Sequence, residues 1–307
     1  MYRNNTPDSR PSSFPLPEDK PEVAALWQEV FHDSGEFTDL FFSRVYKPEN
    51  TLVTKKDNGI IAALQMIPYE IKTANGILPS AYVCGVCTRP SERGKGVMKA
   101  LMTDAMAVMR QRGYAVSILI PAEAWLFEFY RRFGYSHPVD CGAETYSSAS
   151  PPVQAADTFN IVRETVSASD YTFTECTADK YFPYFDRKQR ERPCAVLHDA
   201  SDFETIIRDL ACDGGHAWTA LRANRPAGMA FAKPAAGNNV IIKEILYDSL
   251  PVKEALIRYI LRRYNARTAE VRVPRSAGEN AGAYGLACIL DNRTTNISGL
   301  YMTLMLD

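Results

Sequence analysis

Arg93-Gly94-Lys95-Gly96 is the segment of this sequence best suited to chemistry with an anion. A short apolar run, Ala81 to Thr88, precedes it, interrupted by Arg89-Pro90-Ser91-Glu92. From Val97 to Arg112 there is neither Gly nor Pro, and Val97, Leu101, Ala105 and Val108 recur at helical spacing. Gly113 stands where a helix C-terminal glycine is expected. The spacing therefore predicts strand, glycine turn and helix. The first turn of such a helix offers free N–H groups and the positive end of the macrodipole. Glycines let a phosphate reach the backbone without meeting a Cβ. Arg93, Gly94, Lys95, Gly96, Val97 and Met98 form a candidate anion cradle on these grounds. A P-loop would need Ser or Thr where Gly96 stands, and a dinucleotide fingerprint would need Gly in place of Lys99. A lone Gly-x-Gly also serves as a plain tight turn, and the loop alone leaves the two readings level.

Other reactive residues offer less. Cys84-x-x-Cys87 has redox or zinc spacing, but it lies inside the predicted strand, where residues three apart face opposite ways. No second pair completes a zinc site, so buried thiols are expected. The four histidines, His32, His137, His198 and His216, lack metal-ligand spacing. Seven cysteines without a framework pattern suit a reducing compartment, and a cytoplasmic location is expected. A net charge of −1 gives no electrostatic case for nucleic acid or a membrane surface. No apolar run approaches the ~20 residues that cross a bilayer. Nothing in the composition opposes a homo-oligomer.

At 307 residues two domains are expected. Residues 1–17, polar and proline-rich, read as a flexible leader. Helices are predicted from Glu22 to Phe31 and from Phe37 to Val45. Strands follow at Thr51–Lys55 and Ile60–Tyr69 around Asp57-Asn58-Gly59. After the long helix come a strand from Ala115 to Ile120, a helix from Ala124 to Phe133, and strands from Tyr135 and from Glu144 to Ser148. Ser147 to Ala156 is the one linker by composition. Beyond it lie strands at 217–222, 226–232 and 240–247, a helix at 252–264, and strands at 269–273, 286–290 and 300–306. That order repeats the first half. The expected division is a first domain at 18–148, a linker at 149–156 and a second domain at 157–307. The second strand-to-helix turn, Asp248 to Lys253, has no glycine and carries Pro251, so only the first half is expected to hold a phosphate.

Arg93-x-x-Gly96 opening a long helix after Val86-x-Thr88-x-Pro90 resembles the acetyl-CoA signature of the GNAT superfamily of N-acetyltransferases. The superfamily pattern ends in Gly or Ala where this chain has Met98, and enhanced intracellular survival (Eis-type) proteins share that variation. Asn50 to Leu64 resembles their first hairpin, and Phe129-Tyr130-Arg131-Arg132-Phe133-Gly134-Tyr135 their fourth helix and its exit. The resemblance covers about residues 18–140. It implies an α/β fold, two tandem GNAT-like domains, each a mixed sheet flanked by helices, with one active copy.

It also implies chemistry. Acetyl-CoA would be a substrate, its pantetheine arm pairing with backbone groups of Val86 and Thr88 and its pyrophosphate lying on the glycine loop. Tyr130 matches the tyrosine that protonates the departing thiolate, beside the alternative of a half-buried helix tyrosine. Trp27, Phe31 and Phe41 lie where the acceptor pocket is walled, beside the alternative of core packing. The base stays open between Glu123 and the end of the chain at Asp307. The function expected is acetyl transfer to a primary amine of a small molecule or peptide, without a metal. A non-catalytic acyl-CoA sensor and a peptide-forming acyltransferase using charged tRNA are the competing readings.

Overall fold

The computed structural model describes residues 12–57, 59–139, 141–149, 170–274, 283–291 and 296–306. Helices α1 (Lys20–Phe31) and α2 (Gly35–Arg44) precede strands β1 (Thr51–Lys56), β2 (Gly59–Thr73) and β3 (Gly76–Thr88). Helix α3 (Val97–Gln111), strand β4 (Val116–Leu119), helix α4 (Ala124–Arg131) and strands β5 (His137–Val139) and β6 (Gly142–Ser147) follow. The second half runs β7 (Thr172–Glu175), α5 (Ala178–Arg190), β8 (Ala195–Leu197), α6 (Ala200–Cys212), β9 (His216–Arg222), β10 (Arg225–Ala235) and β11 (Asn239–Tyr247). It ends with α7 (Leu250–Arg263), β12 (Thr268–Val273) and β13 (Gly285–Ile289).

These strands make two mixed sheets flanked by helices, the α/β class with two GNAT-like domains that the sequence implies. The first has the order β1-β2-β3-β4-β13-β5, with β8 also pairing β2. Alternation along its strands divides the core in two. Leu52, Ala62, Leu64, Met66 and Val83 meet Leu101, Met102, Ala105 and Met109 of α3. Val53, Ala63 and Cys87 meet Val23, Leu26, Trp27 and Phe41 of α1 and α2. The second sheet has the order β6-β12-β11-β10-β9-β7. Its Ala230, Ala232, Val240 and Ile242 pack on Leu256 and Ile260 of α7, and Met229, Phe231 and Leu246 pack on Phe185 and Phe203 of α5 and α6.

The order of elements misleads at several points. Strand β6, expected to finish the first sheet, pairs antiparallel with β12 in the second. Strand β13, expected in the second, lies between β4 and β5 in the first. Its Leu286 and Cys288 point to the α3 core and Ala287 to the opposite core, as a central strand requires. The sheet pairings thus cross residue 148 in both directions. Most of the expected linker, and the residues to 169, lie outside the described residues. Residues 300–306 form no strand beyond one bridge from Tyr301 to Ala195; all seven are buried, because the segment has core on every side. Of the expected leader, Ser13 bridges Val53 at the edge of β1.

Candidate active site

The site begins with a glycine inside a strand. Strand β3 pairs Cys87 with Ala63 and Cys84 with Gln65 of β2, so Gly85 and Val86 stand opposite the single Leu64. This two-against-one mismatch is a β-bulge. Gly85 has φ +57°, the left-handed region that suits glycine. A Cβ built there would come 2.2 Å from the Trp27 ring, so the bulge and the indole need each other's shape. The bulge also changes parity. Cys84 and Cys87 share a face of β3, since their partners Gln65 and Ala63 are two apart; the opposite-face expectation fails by that one extra residue. Both cysteines are free, and burial pushes the Cys87 thiol up to about 12.

On its other edge β3 pairs parallel with β4 only over Ser80–Val116, Ala81–Ser117 and Tyr82–Ile118. Beyond Tyr82 the two strands part, and β3 carries its bulge along the opening. Val86 packs toward α3. The Thr88 carbonyl accepts from Arg93 Nε at 3.1 Å, and the Thr88 hydroxyl is buried without a hydrogen-bond partner.

The glycine loop leads from β3 into α3. Gly94 and Gly96 have φ +77° and +82°, and nothing stands within 4 Å of a Cβ at either. Gly96 caps α3, and no side chain bonds to the helix's first turn. The amides of Val97 and Met98 therefore keep the orphan donors of a helix start. Arg93, Lys95 and Lys99 are exposed around them; Lys95 is 3.2 Å from Glu92, which also holds Lys56 at 2.8 Å.

Tyr130 enters from α4, which turns a strongly apolar face to the sheet. Its ring is buried, 6.0 Å from that of Tyr135 and 5.2 Å from that of Phe129. Burial pushes its phenol well above the ordinary tyrosine range, and Cys84 of the bulge adds a smaller push. Burial thus keeps the Tyr130 phenol neutral.

The other expected residues lie apart. Glu123, the N-cap of α4, is exposed and accepts from Trp125 Nε1 at 2.7 Å. Seven residues at ~1.5 Å rise set it about 10 Å along the helix from Tyr130. Phe41 is fully buried and Trp27 nearly so, the indole tied to Asp33 at 2.7 Å. Both belong to the core behind the bulge, whereas Phe31 keeps an exposed edge beside Trp27. Asp307 lies outside the described residues. Leu306 joins the cluster of Val23, Leu26, Trp27, Phe41 and Cys87. Gly85 escaped the sequence reading, although a lone glycine inside Val83-Cys84-Gly85-Val86 is itself a bulge signal.

A parted strand pair, a bulge at the parting and a glycine-led helix start together outline a groove. The profile of the family described as Acetyltransferase (GNAT) domain matches residues 16–137, the segment that builds the groove. These residues are a GNAT acetyltransferase domain. The chain therefore carries an acyltransferase domain of GNAT type. Its fold is similar to a probable N-acyltransferase from Enterococcus faecalis V583, with a TM-score of 0.71 at 16% identity over 92% of this chain and 73% of that one. A GCN5-related N-acetyltransferase from Anabaena variabilis gives 0.71 at 14%, again over 92% and 73%. Eis1 from Mycobacterium abscessus gives 0.66 at 13%, over 92% and 74%. At these identities the likeness is one of fold. No curated protein matches the chain. Among the described residues no helix is long and apolar enough to cross a membrane, and no cluster of side chains could hold a metal ion.

Proposed function

We propose that the protein transfers an acetyl group from acetyl-CoA to a primary amine of a small molecule or peptide. The observation that carries this reading is the parting of β3 from β4 after Tyr82, with the Gly85 bulge in the stretch of β3 beyond that point. Past Tyr82 the edge of β3 that leaves β4 can offer backbone donors and acceptors to an extended arm, and Val86 is the residue the bulge frees. Amides of Val97 and Met98 would hold the pyrophosphate, helped by Arg93 and Lys95. Gly94 and Gly96 keep that approach clear. When bound, acetyl-CoA supplies an activated thioester, and the groove supplies proximity to the amine. Tyr130 would give its proton to the departing sulfur and recover one from solvent. The receiving base is sought at Glu123 or at Asp307. Phe31, with its exposed edge, is the aromatic best placed to meet an acceptor.

The test is turnover. Acetyl-CoA is incubated with polyamine, arylalkylamine and aminoglycoside acceptors while free thiol and acetylated product are followed. Product from at least one amine, dependent on the protein, is the expected result. CoA binding by calorimetry with no product from any amine would favour the sensor reading.

A further inference from the structure

Residues 300–306 thread between the two domains, and their side chains divide among three cores. Leu300, Met302 and Met305 enter the core under β2, β3 and β4. Leu304 enters the α5–α6 core, turned there by a backbone φ of +58°. Leu306 reaches the cluster of Trp27 and Cys87 behind the bulge. A segment without a strand ladder needs other contacts to fix its register.

Those contacts come from the second domain. Glu244 of β11, 2% exposed, accepts two bonds from Arg192, both 2.7 Å. The same guanidinium lies 4.1 Å over the Tyr301 ring. Thr303 Oγ1 donates to Glu244 at 2.7 Å, and His198 Nε2 stands 3.0 Å from the Thr303 carbonyl. Gln189 grips the His198 backbone at both N–H and carbonyl, 2.8 Å each. The Tyr301 backbone bonds Cys194 and Val196 around β8. A buried ion pair is costly unless it is fully bonded, and its best-attested use is to fix a register.

We propose that Glu244, with Thr303, acts as a positioning pair: through the tail it sets where Leu306 stands in the Trp27 cluster that backs the bulge of the transfer site. Three residues span at most ~10 Å, so a shift at Thr303 reaches Leu306 with little slack. Leu306 shares its cluster with Trp27, whose ring rests on Gly85. The proposal rests on the acetyltransferase reading above.

Thr303→Val removes the donor and keeps the shape. Glu244 retains Arg192 and the Ile245 amide at 2.8 Å, so the fold should persist. Expected are roughly tenfold faster amide exchange over residues 301–306 and a kcat about tenfold lower, since small misplacements cost that much. CoA affinity by calorimetry should stay within about twofold, because none of the clamp's contacts described above involves the glycine loop. Thr303→Ser should restore both exchange and kcat. Wild-type exchange in Thr303→Val, or a kcat within twofold of wild type despite a loosened tail, overturns the proposal. A wild-type protein that neither binds CoA nor forms product removes the acetyltransferase reading, and the role in transfer with it. The exchange measurement then still decides whether Thr303 clamps the tail.

Discussion

Gly85→Ala tests the geometry of the site most directly. The substitution acts in two ways. Alanine at φ +57° enters the left-handed region, at ~1–2 kcal/mol. Its Cβ would also stand 2.2, 2.9 and 3.1 Å from three carbons of the Trp27 six-membered ring. The ring cannot simply swing away, because Nε1 is bonded to Asp33 and Phe41 lies 4.5 Å from it. Overpacking of this kind costs ~1–3 kcal/mol. The expected loss is therefore about 2–5 kcal/mol, read as a lower urea midpoint at unchanged slope. Trp27→Leu separates the two contributions. In that background Gly85→Ala should retain only the backbone cost, giving a coupling of about 1–3 kcal/mol between the sites. A Gly85→Ala variant that unfolds within ~0.5 kcal/mol of wild type, or a vanishing coupling, would refute the idea that Trp27 and the bulge are fitted to each other.

Tyr130→Phe should lower kcat by ~10²–10⁴ while leaving CoA affinity intact, and a near-normal kcat would make it a packing residue. Because burial raises its phenol, Tyr130 stays protonated through the ordinary alkaline range, so the pH–rate profile should show no loss of that acid below about pH 10. Gly96→Ala should weaken CoA binding and cost ~1–2 kcal/mol of stability, since φ is +82° and no neighbour blocks the methyl; calorimetry and urea unfolding check the two halves. His198, fully buried, is depressed to about 4, so the unfolded chain takes up its proton first as pH falls below ~6.5. Its stability contribution is complete above pH 6.5 and is lost between there and pH 4, on the order of 3 kcal/mol. Asp202, pushed up to about 6 by burial, works in the opposite sense, so the quantity to measure is the difference between wild type and His198→Gln across that window.

The first domain was legible because its signals are local. Glycines flanking a helical period marked α3 and its loop, and the positive φ of Gly94 and Gly96 is what that residue type allows. Pairing between distant segments was not legible. Leu286-Ala287-Cys288 announces a strand buried on both faces, yet nothing in the three residues names the sheet that takes it. Helices α5 and α6 passed unnoticed; Pro183 sits inside α5, where a proline normally argues against a helix. Residues 300–306 mimicked a half-buried strand, because alternation cannot show that the intervening residues are covered too. At the site, one extra residue in β3 reversed the face expected of Cys87, and periodicity carries no warning of such a shift.

The crossing strands bear on how the gap at the site stays open. A strand whose neighbour leaves it must find its hydrogen bonds elsewhere or close up again. Strand β4 loses β3 after Ile118, but its other edge is laddered to β13 over Val116 to Leu119. Strand β13 is itself held by β5, through Gly285–Val139, Leu286–Pro138 and Ala287–His137. Anchorage for one wall of the groove thus comes from residues 285–289, far along the chain from the helix and loop of the other wall. The second sheet is completed in return by β6 from the first half. Neither half can be withdrawn without stripping a strand from the other's sheet. The part of the chain that lacks a glycine loop therefore still bears on the site, because it keeps β4 from following β3.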